Sequence, residues 1–111
     1  MDLLKAIKTR RSVREFLDKE ISDEEILKIL DVARYAPSAG NLQDWLFFII
    51  KDKEKIKEIS RIAFNQDWIE KAAFLIVACS DLEIISHYGQ RGISLYSKQD
   101  VACAIQNMLL F

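Results

Sequence analysis

Apolar side chains recur along the chain with two different periods. Leu3, Leu4 and Ile7 follow helical spacing, which predicts an amphipathic helix over about the first ten residues. Ser22 with Glu25 three positions on is a capping-box arrangement, and it predicts a second helix with Ile26, Ile29, Leu30 and Ala33 on its buried face. Pro37 stops that helix, and Ser38–Gln43 reads as a polar loop in which Gly40 and Asn41 tolerate unusual backbone angles. Trp45–Ile50 is a continuous apolar run, expected as a strand covered on both faces. Asp52 is the expected cap of a third helix that turns Ile56, Ile59 and Ile62 or Ala63 inward. A short helical turn around Trp68 and Ile69 and a second buried strand, Phe74–Cys79, follow.

Asp81–Ser94 has no clean period, and Gly89 with Gly92 suggests a break before the last helix. Ser97 and Asp100 are the expected caps of that helix, Lys98–Phe111, which is apolar on almost every side. A helix with so little polar surface belongs in the centre of a larger structure or in an interface. It ends on Phe111 without a glycine cap or a basic last turn, so the expectation is a chain cut within a core element.

Composition narrows the classes. In 111 residues, half are hydrophobic and 30% are charged, which suits one packed domain. The formal net charge of -1 argues against a general nucleic-acid binder. Met1–Lys8 does not have the make-up of a targeting leader, and the apolar runs Trp45–Ile50 and Ala72–Cys79 are too short to span a bilayer. A cytoplasmic protein without membrane contact is the expectation. Metal is not expected, because His87 is the sole histidine and no cysteine pair lies close to it. Cys79 and Cys103 read as small core residues.

Two segments carry candidate chemistry. Arg10, Arg11, Ser12 and Arg14 place three guanidinium forks and a hydroxyl within five residues, a donor set able to surround a phosphate without a glycine-rich loop. Taken alone, the same residues also describe a solvated basic face at a helix end. The second segment, Pro37-Ser38-Ala39-Gly40-Asn41-Leu42-Gln43-Asp44-Trp45, combines small residues with Asn41 and Gln43, whose amides match the polar edge of a heteroaromatic ring. Alone it is equally an ordinary helix-to-strand loop. Asn65 and Gln66 form a similar pair, although helix C-cap chemistry also accounts for Asn65.

Arg-Arg-Ser-x-Arg, followed by Ala-Pro-Ser-Ala-Gly-Asn-x-Gln-x-Trp and an apolar strand, resembles the nitroreductase family. Asn65, the Ala72–Ala73 pair and the last helix with Asp100, Ala104 and Asn107 continue the resemblance over essentially the whole chain. It implies an α+β fold, with a mixed sheet flanked by helices, and residues 1–111 as the N-terminal part of a single FMN-binding domain. It also implies a homodimer with FMN at the subunit interface. Arg10, Arg11, Ser12 and Arg14 would hold the phosphate and ribityl chain; Pro37, Ser38, Ala39, Asn41 and Gln43 would reach the cofactor from the other subunit. Asn65 would meet the pyrimidine side of the ring, with Gln66 a less secure candidate there.

The implied activity passes a hydride from NADH or NADPH through flavin to a nitroaromatic, quinone or related small acceptor in a ping-pong cycle. The chemistry resides in the flavin, so no catalytic side chain is expected. The resemblance also accommodates a non-reductase flavin-binding or flavin-processing relative; a small phosphate- or nucleic-acid-binding module is the remaining alternative. One departure stands out. The family commonly has proline where this chain has Asp44, and that carboxylate is expected to point to solvent.

Overall fold

The computed structural model describes residues 2–111. Helix α1 (Leu3–Thr9) is capped by Asp2, whose carboxylate accepts from Leu4 N–H at 3.3 Å. Helix α2 (Asp23–Ala33) starts with the expected capping box: Ser22 Oγ accepts from Glu25 N–H at 3.2 Å, and Glu25 Oε2 accepts from Ser22 N–H at 3.2 Å. Ser22→Ala is expected to lower stability by about 1 kcal/mol in urea denaturation, because one helix-end donor loses its partner. Strand β1 (Trp45–Ile50) follows, then α3 (Lys53–Ile62), whose cap Asp52 accepts from Glu54 and Lys55 N–H. A 3-10 turn at Asp67–Lys71 carries half-buried Trp68 and Ile69, as the pattern predicts.

Strand β2 (Leu75–Ser80) pairs with β1 in antiparallel register, Trp45 opposite Ser80 and Ile50 opposite Leu75. Inward-facing Trp45 and Phe47 pack against a small-residue core of Ala33, Ala36 and Ala104, joined by Met108. Leu46 and Phe48 alternate with them and are exposed. Coverage of both strand faces, expected from the apolar run, is therefore incomplete among the described residues: α5 and α2 cover one face, and Leu46 and Phe48 stay exposed on the other. The apolar side chains of α1, Leu3, Leu4 and Ile7, are more than half exposed as well.

Helix α4 (Ile84–Arg91) kinks at Gly89, whose φ of 58° lies in the left-handed region. The chain then runs through a wide turn at Gly92–Tyr96 straight into α5 (Ser97–Leu110). The expected caps are therefore not caps. Ser97 Oγ donates back to Ile93 O at 2.8 Å, as a mid-helix serine does, and Asp100 is committed elsewhere. Gly92 permits the continuity: a Cβ there would sit 2.9 Å from Ile84 O.

The cysteine expectation fails and the α3 expectation holds for Ile56 but not for Ile62, for one reason, incomplete cover. Cys103 is exposed and Cys79 half-buried, because α5 buries the side bearing Ala104 and leaves Cys103 outward. On α3, Ile56 and Ser60 are the fully buried residues, whereas Ile62 is 83% exposed and Ala63 only half-buried.

Candidate flavin site

The arginine segment follows α1 as extended chain. Arg10 is half-buried, and Arg11, Ser12 and Arg14 are exposed. Arg11 Nη1 donates to Lys8 O at 3.1 Å and Arg10 O at 2.8 Å, and Arg14 Nη1 donates to Ser12 O at 3.3 Å. These partners are neutral carbonyls. No carboxylate forms a salt bridge with Arg10, Arg11 or Arg14 among the described residues, so their positive charge is left for an external anion. The Arg14 guanidinium also lies over the Trp68 ring at 5.5 Å, and Phe16 packs against the same ring at 6.1 Å between centroids. The cluster is thereby tied to the turn just after Asn65 and Gln66.

The second segment is built differently. Gly40, Asn41 and Gln43 have φ of 57°, 55° and 50°. Gly40 and Asn41 fit the reading from residue type; Gln43 does not. The loop is closed internally by Ser38 Oγ, which accepts from Gln43 N–H at 2.9 Å. It is closed externally by Asp100, whose Oδ1 accepts from Ala39 N–H at 3.1 Å. A Cβ on Gly40 would meet the Tyr88 hydroxyl, so a side chain there would displace the tyrosine ring as well as strain φ.

Phe64 and Asn65 have φ of 62° and 54°. Asn65 N–H bonds to Arg61 O at 3.2 Å, which gives its backbone a helix-terminating role while its exposed side chain makes no hydrogen bond to a described residue. Gln66 is otherwise engaged: its Nε2 donates to Ala63 O at 2.8 Å, and its carbonyl accepts from Ser60 Oγ at 2.9 Å. Among the described residues, the non-glycine positions with left-handed φ are Asn41, Gln43, Phe64 and Asn65. Each costs roughly 1 kcal/mol or more, and such strain is retained chiefly where a site requires it.

The structure thus brings Arg14 beside Trp68, and the loop beside α5 and Tyr88. No described hydrogen bond, ion pair or ring contact joins the arginine segment to the Ser38–Gln43 loop.

Asp44 overturns the solvent-facing expectation. It is 5% exposed, and neither carboxyl oxygen has a hydrogen-bond donor among the described residues. Its main chain is clamped to the end of β2 by Asp81 N–H, which turns the side chain inward against Asp100. Burial first, and then the Asp100 carboxyl, push Asp44 up from 3.8 to about 6. The only signal in the sequence was an acid abutting an apolar strand.

No helix among the described residues is long and apolar enough to cross a membrane. The Nitroreductase family profile matches residues 7–66. An Archaeoglobus fulgidus protein, provisionally assigned as an NADH dehydrogenase/NAD(P)H nitroreductase, is 38% identical over 98% of this chain and 60% of its own length. An FMN reductase (NAD(P)H) of Bacillus subtilis is 29% identical over 97% of this chain and 41% of its own. Among solved structures, the NADPH:FMN oxidoreductase of Vibrio harveyi, complexed with NAD+, superposes with a TM-score of 0.86 at 28% identity, over 97% of this chain and 50% of that one. The chain spans about half the length of the curated relatives it matches. With the double motif in place and the α+β fold shared across this span, the chain belongs to the nitroreductase family.

Proposed function

We propose that these residues are the N-terminal part of a single FMN-binding domain in an NAD(P)H-dependent flavin oxidoreductase. The observation that carries the reading is the coincidence of two features: three arginines that form no salt bridge among the described residues, and left-handed backbone at Asn41, Gln43 and Asn65. Relatives and solved neighbours named as FMN reductases and NADPH:FMN oxidoreductases support it.

The donor set suits FMN. Arg10, Arg11, Ser12 and Arg14 would hold the phosphate and ribityl chain, where each charge-assisted bond is worth about 1.5–3 kcal/mol. Pro37, Ser38, Ala39, Asn41 and Gln43 would approach the ring closely, and Asn65 would offer its unbonded amide to the polar edge. Bound FMN would supply the hydride-accepting chemistry, from NADH or NADPH to a small-molecule acceptor. The protein's part is to bind, orient and exclude water, and no side chain is assigned as catalytic.

A homodimer with the cofactor at the subunit interface accounts for two further observations. No described hydrogen bond, ion pair or ring contact joins the arginine segment to the loop, and the apolar faces of α1 and β1 are uncovered among the described residues. The location assigned is the cytoplasm, with neither nucleic acid nor membrane as a partner.

The test is the absorption spectrum of the purified full-length protein. The expected result is stoichiometric FMN absorbance, bleached by NADH or NADPH and restored by a quinone or nitroarene. Flavin colour without bleaching would favour a non-reductase relative, and salt-sensitive oligonucleotide binding without flavin would favour a phosphate-binding module.

Asn65→Ala is expected to weaken FMN about fivefold in a fluorescence titration and to shift the flavin midpoint potential, because one hydrogen bond to the ring is worth about 1 kcal/mol. Unaltered affinity and potential would remove Asn65 from the site.

A further inference from the structure

Asp44 and Asp100 are 5% and 6% exposed, and both Asp44 carboxyl oxygens and Asp100 Oδ2 lack a donor among the described residues. The two carboxyls face one another at the foot of the Ser38–Gln43 loop. Asp100 Oδ1 already holds the start of that loop through Ala39 N–H at 3.1 Å. The loop therefore begins and ends against the same residue of α5.

Two buried carboxylates in contact repel, and each would lack hydrogen bonds. One proton between them removes the repulsion and supplies one hydrogen bond. The protonated group becomes a donor and its partner remains an acceptor, so one oxygen of each carboxyl is engaged in the pair. We propose that Asp44 and Asp100 share a single proton that fastens both ends of the Ser38–Gln43 loop to α5, making the loop's hold on flavin weaken as pH rises. This rests on the flavin reading above; both are positioning residues, acting through the loop rather than on the cofactor.

The surroundings favour the protonated pair. Asp81, just after β2, adds a further negative charge, and Glu83, which precedes α4, and His87 of α4 line the same small cavity as Asp44. No lysine or arginine forms a salt bridge with Asp44 or Asp100 among the described residues. The sign follows from the raised value of Asp44, about 6 against 3.8. Its contribution to folding is complete at low pH and is lost as pH rises through about 6, when the shared proton leaves and the two charges separate.

The test uses the full-length protein, with FMN titrated by fluorescence quenching from about pH 5.5 to about pH 8.5, in parallel with Asp44→Asn and Asp44→Leu. Asparagine keeps a donor without the charge. Comparing parent with Asp44→Asn at each pH cancels the titration of the FMN phosphate itself.

The expected result is that the parent's dissociation constant, relative to Asp44→Asn, rises about tenfold between about pH 6 and about pH 8. Asp44→Leu, which cannot donate to Asp100, binds more weakly than Asp44→Asn throughout. Infrared spectra of the flavin-free protein are expected to show a protonated-carboxyl stretch that fades over the same range and is missing from Asp44→Asn. Parent and Asp44→Asn tracking each other at every pH, with no such band, would overturn the proposal and leave the flavin reading intact. No FMN binding in any of the three would overturn the flavin reading and the control of flavin with it, while the band would separately report whether the proton is shared.

Discussion

Ala104→Leu in the full-length protein is expected to cost about 3 kcal/mol of stability, the upper end of the overpacking range. Ala104 is fully buried on α5, directly against Ala33 and Ala36, with Trp45, Phe47 and Met108 closing the contact. Small side chains on both sides let α2 and α5 approach closely, and three added carbons have no void to enter. The same approach positions Asn107, whose Nδ2 donates to Val32 O at 3.1 Å, so separating the helices strands a partly buried amide as well. Urea denaturation of Ala104→Leu beside Ala104→Ser checks this, the serine costing about 1 kcal/mol. A leucine variant within about 0.5 kcal/mol of the parent would mean that the α2–α5 contact is looser than described.

The second large effect concerns binding. Arg10→Ala/Arg14→Ala is expected to weaken FMN at least about 100-fold, since two charge-assisted contacts of about 1.5–3 kcal/mol each are removed. The loss should exceed what screening of a surface charge produces, because a phosphate held by guanidinium forks is bonded as well as attracted. Raised salt should therefore narrow the difference between variant and parent without abolishing it. Arg14 contributes in a second way. Its guanidinium over Trp68 ties the segment to the turn after Asn65, so removing it loosens the approach to the ring edge too. Arg14→Lys, which keeps charge but not the planar fork, is expected to fall between the two.

What the sequence made legible was local. Ser22 and Glu25 specify a cap by their spacing, Asp52 does so alone, and Trp45–Ile50 reads as a strand because the whole run is apolar. Gly40 and Asn41 signalled their backbone angles by residue type. The arginine segment announced its chemistry, because guanidinium and hydroxyl groups carry it wherever the chain leads.

What was not legible depends on distant partners. Asp44 is buried because α5 lies across the foot of the loop, and Asp100 is a loop anchor rather than a cap because Gly92 lets the helix run on from Ile84. Leu46, Phe48 and Cys103 carry the chemistry of buried residues but face outward among the described residues, since periodicity records a preference for cover and not what provides it. Strain at Gln43 was equally hidden: glutamine has no intrinsic preference for a left-handed backbone, and the Ser38 hydroxyl imposes it.

The central claim is that Arg10, Arg11, Ser12 and Arg14 form a phosphate site for a flavin nucleotide. It is tested most directly by titrating the full-length protein with FMN and with riboflavin, which differ by that phosphate alone. FMN is expected to bind at least about 100-fold tighter than riboflavin, with the preference abolished in Arg10→Ala/Arg14→Ala. Equal affinity for the two flavins, or a preference that survives in the double variant, would contradict it.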